Sequence, residues 1–108
     1  MYKATVLYGH PDDPEAFDRH YRDVHIPLAR RMPGLAGWTI TWLRPDFDGN
    51  PPEHYLIAEL WADTREQLQA AFDSEAGRAA ADDVEKFATG GVTFLFGPVT
   101  EVLNAEVV

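Results

Sequence analysis

The sequence predicts an α+β fold of the ferredoxin-like βαββαβ type, one antiparallel sheet with its helices on one face. Three observations carry that prediction. Stretches with the period-two apolar alternation of a strand occur at residues 3–9, 38–43, 54–62 and 92–97. The first and last pairs are each separated by a segment with apolar residues at helical spacing behind a capping residue, which gives the order strand, helix, strand, strand, helix, strand. A chain of 108 residues is the size of one domain, here 1–108, and two right-handed crossovers leave little choice but the split βαβ arrangement.

Each element has its own signal. In residues 3–9, Ala4, Val6 and Tyr8 fall on one face and Thr5 and Leu7 on the other, and Gly9 and Pro11 end the run. Asp13 before Pro14 is an N-cap followed by proline at the first helical position, and Glu15 suits the positive end of the helix. Phe17, Tyr21, Val24 and Leu28 form an apolar stripe towards the sheet, with Arg19, Arg22 and Asp23 in solvent. Pro27 lacks an N–H and disfavours helical geometry at Ile26, so the helix is expected to kink or restart beside His25. Pro33 and Gly34 stop it.

Trp38, Ile40 and Trp42 then alternate with Thr39, Thr41 and Leu43. Residues 44–53 hold three prolines and form a loop too long for a tight hairpin turn. Beyond it Leu56, Ala58 and Leu60 alternate with Tyr55, Ile57, Glu59 and Trp61. Thr64 with Gln67 makes a capping box, or Asp63 caps one residue earlier, and Leu68, Ala71 and Phe72 supply the stripe. Residues 74–77 read as a break and recap, after which Ala80, Val84, Phe87 and Ala88 continue a helical face to Gly90 and Gly91. Val92, Phe94 and Phe96 oppose Thr93 and Leu95 in the last strand, and residues 99–103 are expected to add a short edge strand.

Composition narrows the function. Eighteen acidic and nine basic residues give a formal charge of -9, which repels phosphate backbones and anionic membranes and argues against nucleic acid or membrane partners. No apolar run approaches the ~20 residues of a membrane span, and the first residues lead into a strand pattern, so a cytoplasmic location is expected. The absence of cysteine excludes disulfides, thiol nucleophiles and thiolate metal sites. There is no glycine-rich phosphate loop, no Gly-x-Ser-x-Gly and no His-Glu-x-x-His, and neither His20 nor His25 has a carboxylate at the spacing of a known metal motif. No metal site is expected. Large apolar side chains on both faces of the strands predict that the helix-free face packs against a second copy, a homodimer.

His20 and His25 flank the first helical stripe on opposite sides, each ~70° from its centre, so periodicity cannot choose between them. The break at Pro27 favours His25 as a site residue, the alternative being a partly buried structural histidine. Tyr8, Tyr21, Trp38, Tyr55, Trp61, Phe72 and Phe87 are candidates to line a pocket between helices and sheet for a flat apolar or aromatic ligand, or are simply core aromatics. Tyr8 or Tyr55 can hold a substrate oxygen. Glu59 reads either as an acid or base of raised pKa or as a partner of Arg44 or a hydroxyl, His54 stands open at the strand's mouth, and His10 reads as a solvated loop residue.

Two stretches resemble the EthD family, named for ethyl tert-butyl ether degradation and belonging to the dimeric α+β barrel group. One is Leu7-Tyr8 with Asp13-Pro14-Glu15-Ala16-Phe17, Tyr21, Asp23-Val24-His25-Ile26-Pro27-Leu28-Ala29 and Pro33-Gly34-Leu35; the other is Asp83-Val84 with Phe87-Ala88-Thr89-Gly90-Gly91-Val92-Thr93. The resemblance implies a homodimer and a His25 that faces a cleft. Relatives in the wider group include cofactor-free monooxygenases, polyketide cyclases and EthD-like dehydratases or decarboxylases of aromatic polyketides. The resemblance leaves the reaction open; the first expectation is a cofactor-independent lyase, cyclase or oxidoreductase in which His25 is the catalytic residue for dehydration, decarboxylation, cyclisation or oxygenation. The alternative is a non-catalytic accessory protein that binds a hydrophobic intermediate of an oxygenase or degradation pathway.

Overall fold

Four strands, β1 (Tyr2–Tyr8), β2 (Gly37–Trp42), β3 (Leu56–Ala62) and β4 (Val92–Pro98), make one antiparallel sheet in the order β2-β3-β1-β4 in a computed structural model that describes residues 1–103. The first crossover contains α1 (Pro14–His20), a π-helical turn (Tyr21–His25) and α2 (Ile26–Ala29); the second contains α3 (Arg65–Asp73) and α4 (Glu75–Phe87). This is the ferredoxin-like fold. Ala4, Val6 and Tyr8 of β1 and Leu56, Ala58, Leu60 and Ala62 of β3 are buried, as period-two alternation requires, and Phe17, Tyr21, Ala29, Leu68, Ala71, Val84 and Phe87 of the helices pack with them.

The caps form as the side chains dictate. Asp13 accepts from the Ala16 N–H at 3.2 Å, and Thr64 accepts from the Gln67 N–H at 3.1 Å. Ser74 alone separates α3 from α4, ending one and capping the next through the Gly77 N–H at 3.1 Å.

Five expectations need correction. The first crossover does change helix type beside His25, with α2 starting at Ile26, but Ile26 does not leave helical geometry: it keeps helical angles (φ -58, ψ -49), and the π turn absorbs the proline. Because that turn holds an extra residue, the buried positions are Phe17, Tyr21, His25 and Ala29, while Val24 is exposed and Leu28 only partly buried. Residues 99–103 form no strand. After one bond from the Val99 N–H to the Met1 carbonyl (3.0 Å) the chain leaves the sheet, and Val102 and Leu103, both 89% exposed, have no face to bury. Tyr55 precedes β3 and turns to the helix side, its hydroxyl donating to Asp18 at 2.6 Å. Finally, the helix-free sheet face is apolar in part only: Leu7, Ile57, Trp61 and Leu95 share it with Thr5, Thr39, Thr41, Thr93 and a Lys3–Glu59 ion pair of 3.0 Å.

The loop after β1 and the turn before β4 meet backbone to backbone. A methyl group on Gly90 would stand 2.2 Å from the His10 carbonyl oxygen, and one on Gly9 would stand 2.1 Å from the Gly90 oxygen. Neither neighbour is a side chain that can swing away. Gly90→Ala is therefore expected to cost about 1–3 kcal/mol in urea unfolding, whereas Gly97→Ala, with nothing within 4 Å of the added methyl, should change stability by less than about 0.5 kcal/mol.

Candidate functional site

The site begins with Pro27. In a regular α-helix its ring would collide with the Asp23 carbonyl and leave that oxygen without a donor. The π turn widens the helix at this point, with the Ile26 N–H bonded to the carbonyl of Tyr21, five residues back. The geometry of the two histidines changes with it. Five residues apart in an α-helix, they would point ~140° from each other; across the π turn they converge on one carboxylate.

That carboxylate is Asp83, which lies on the buried face of α4 with Ala80, Val84 and Phe87 and is 2% exposed. The His20 Nε2 bonds its Oδ1 at 2.9 Å and the His25 Nδ1 bonds its Oδ2 at 3.1 Å. His25 is 5% exposed, and its ring lies between Tyr21 (centroids 5.1 Å apart) and Phe87 (4.8 Å). Burial pulls the His25 pKa below the ordinary histidine value and His20 adds to the fall, with Asp83 opposing them. The imidazole is thus neutral at neutral pH. Since a carboxylate only accepts, the proton sits on Nδ1, and Nε2 carries the lone pair. That nitrogen has no hydrogen bond among the described residues.

His25 lines a cavity between helices and sheet with a volume of about 70 Å³. Small side chains make the room: Ala29, Ala58, Ala80, Ala81 and Gly77 border it where larger residues would fill it. Besides His25, the lining residues with a polar side-chain atom are Tyr8, Tyr21 and Trp38, the remainder being Val6, Met32, Leu60, Phe72, Val84 and Phe94. At ~15 Å³ for one water, the volume admits a few waters or one small ring.

Tyr8, Tyr21, Trp38 and Phe72 are brought together around His25. Three other candidates are not. Phe87 lies behind the cavity, against Tyr8 (5.6 Å) and His25. The Tyr55 ring packs on Phe17 (5.1 Å), away from it. Trp61 is on the opposite sheet face, over Gly37 and under the Lys3 ammonium at 5.5 Å, because odd-numbered β3 residues point away from the helices. Glu59 pairs with Lys3 instead of Arg44, His10 bonds the Pro52 carbonyl at 2.8 Å, and His54 is outside the cavity. Sequence reasoning missed Asp83 and the joining of His20 to it. A carboxylate inside the stripe Ala80, Val84, Phe87 was the signal available for Asp83; nothing in the spacing showed that His20 and His25 would share it.

Among the described residues no group of three or more histidines and carboxylates is disposed to hold a metal ion, and no helix is long and apolar enough to cross a membrane.

Fold and site together define a ferredoxin-like protein with an Asp-oriented histidine facing an apolar cavity. The chain belongs to the EthD family: the EthD domain model matches residues 10–91. It is 42% identical over 103 residues, 95% of this chain and 99% of the relative, to an uncharacterized 11.0 kDa protein of the thcB-thcC intergenic region in Rhodococcus erythropolis. It is also similar to the crystal structure of an ethyl tert-butyl ether degradation family protein from Bacillus halodurans, with TM-score 0.86, 36% identity and coverage of 93% and 99% of the two chains. SnoaB from Streptomyces nogalater, described as a cofactor-independent oxygenase, shares the fold at TM-score 0.63 and 16% identity over 94% of each chain.

The lowered His25 pKa sets a pH dependence. Between that value and ~6.5, the unfolded chain binds more protons than the folded one, so stability rises with pH there. The contribution is complete above ~6.5 and is lost as pH falls through the folded-state value. Asp83→Asn removes the influence that opposes the shift, so imidazole NMR titration should find His25 titrating lower still in that variant. A titration unchanged from wild type would remove Asp83 from this role.

Proposed function

We propose that this EthD protein exchanges a proton with a small aromatic, enolisable or phenolic molecule through His25 Nε2, without a resident cofactor. The observation that carries the reading is the buried bond from His25 Nδ1 to Asp83 beside an apolar cavity. A carboxylate on one ring nitrogen fixes the tautomer and leaves the other as a base, and it also stabilises the imidazolium formed when a proton arrives. Aromatic and aliphatic walls surround the acid formed. The chemistry starts with removal of a C–H or O–H proton; from the resulting enolate or phenolate, dehydration expels a β-hydroxyl as water, cyclisation attacks a carbonyl of the same molecule, and oxygenation takes dioxygen as the oxidant, whereas in decarboxylation the loss of carbon dioxide itself makes the enolate and the imidazolium returns a proton to carbon. The fold's use in SnoaB for cofactor-independent oxygenation supports the absence of a cofactor requirement, by likeness of scaffold alone.

Deuterium uptake from heavy water into acetophenone or 1-indanone, read by mass spectrometry, reports proton abstraction without knowledge of the natural product. Wild-type protein should accelerate it, and His25→Gln should lower that acceleration by ~100-fold or more. Saturable binding with no exchange would instead make the protein a binding or accessory component.

The reading includes a homodimer through the helix-free sheet face. Leu7, Ile57, Trp61 and Leu95 there form an apolar area that a copy of itself can cover, with the Lys3–Glu59 pair beside it. Sedimentation should give about twice the chain mass of 12.1 kDa, and Trp61→Glu should yield the monomer. A monomeric wild type at micromolar concentration would contradict this.

A further inference from the structure

The polar atoms that the chain leaves unpaired at the cavity indicate the chemistry of its guest. Tyr21 Oη and Trp38 Nε1 are buried without a hydrogen-bond partner among the described residues. Trp38 and Tyr8 are close enough to the Tyr21 hydroxyl to influence its acidity, Tyr8 raising its pKa and Trp38 lowering it, but neither makes a well-formed hydrogen bond with it. Both unpaired groups belong to residues that line the cavity with His25. An indole N–H can only donate, so the partner it lacks is an acceptor, and a tyrosine hydroxyl can donate to the same atom.

Charge restricts that acceptor. Burial raises the Tyr8 and Tyr21 hydroxyls far above the ordinary tyrosine value, and the charge of Asp83 adds to the rise at Tyr8, so these surroundings disfavour an anion. No lysine or arginine borders the cavity, and His25 is neutral. A carboxylate or phosphate would enter without a counter-charge. A neutral oxygen meets two donors.

We propose that the cavity takes a neutral, single-ring carbonyl compound, its apolar body against Met32, Phe72 and Phe94 and its oxygen on Trp38 Nε1–H and Tyr21 O–H. This rests on the cavity being the ligand site and names the class of molecule that His25 meets there. Such seating suits proton removal. When Nε2 takes the α-proton, the C–H electron pair forms the C–C double bond and the carbonyl pair moves to the oxygen that the two donors hold.

The probes are acetophenone, its hydrocarbon isostere α-methylstyrene, and benzoate, titrated into the full chain and followed at the indole N–H resonances. Trp42 and Trp61, which do not border the cavity, serve as internal controls. Acetophenone should move the Trp38 resonance selectively and bind at least about tenfold tighter than either other probe, because a site built to bond an oxygen rejects the analogue lacking it. Tyr21→Phe and Trp38→Phe should each reduce that preference, and if Trp38→Phe does not fold, Tyr21→Phe decides. Equal binding of ketone and hydrocarbon, preference for benzoate, or a Trp38 resonance that does not move overturns the inference. The two claims fail separately: equal binding with His25-dependent deuterium uptake leaves the proton chemistry standing, whereas ketone preference without uptake upholds the carbonyl seat and removes the chemistry.

Discussion

A single buried carboxylate joins the two halves of this fold. Asp83 projects from α4 into the layer between helices and sheet, and its two oxygens take one hydrogen bond each from His20 and His25 of the first crossover. A carboxylate at 2% exposure is costly unless it is bonded on both sides. The bonds therefore constrain α4 to lie against the π turn and α2, as it does, and they constrain the π turn to exist, since a regular helix would carry one histidine away. Position and chemistry have a common origin here: the contact that docks the helices also fixes which nitrogen of His25 is free.

The surroundings of that contact combine two opposing demands. The aromatic cluster of Tyr8, Phe17, Tyr21 and Phe87, with ring centroids 5.2 to 5.9 Å apart, packs the end of the sheet densely. Beside it, alanines and Gly77 keep a space open, and two buried donors go unpaired at its edge. A fold selected only for stability would fill the space and pair the donors. Leaving both costs stability, and departures of this kind are commonly tolerated where a fold carries a site.

Most of the fold was legible because its signals are local. Asp13, Thr64 and Ser74 cap where their sequence context says they should, and the faces of β1 and β2 follow from alternation. What escaped was set by the proline. At Ile26, propensity pointed to a break, yet tertiary packing of Tyr21 and His25 holds a π turn whose extra residue shifts the buried set from Val24 and Leu28 to His25 and Ala29. That shift moved His20 as well, which a helical wheel of constant pitch cannot show. His25 was singled out by a local feature, its place beside Pro27. Its partner lay 58 residues away on another helix, and no local pattern links the two. Trp61 and Tyr55 were misplaced on different grounds, the first because both strand faces carry large side chains and the second because Tyr55 lies just outside the regular register of β3.

The central claim is that burial keeps His25 neutral while Asp83 holds its proton on Nδ1, leaving Nε2 to a guest. Side-chain ¹⁵N chemical shifts of His25 at neutral pH measure this directly. The account predicts a protonated-type Nδ1 and an unprotonated-type Nε2, with Nε2 alone responding when a ligand enters the cavity. Two protonated-type nitrogens, or a proton on Nε2 with Nδ1 bare, would contradict it.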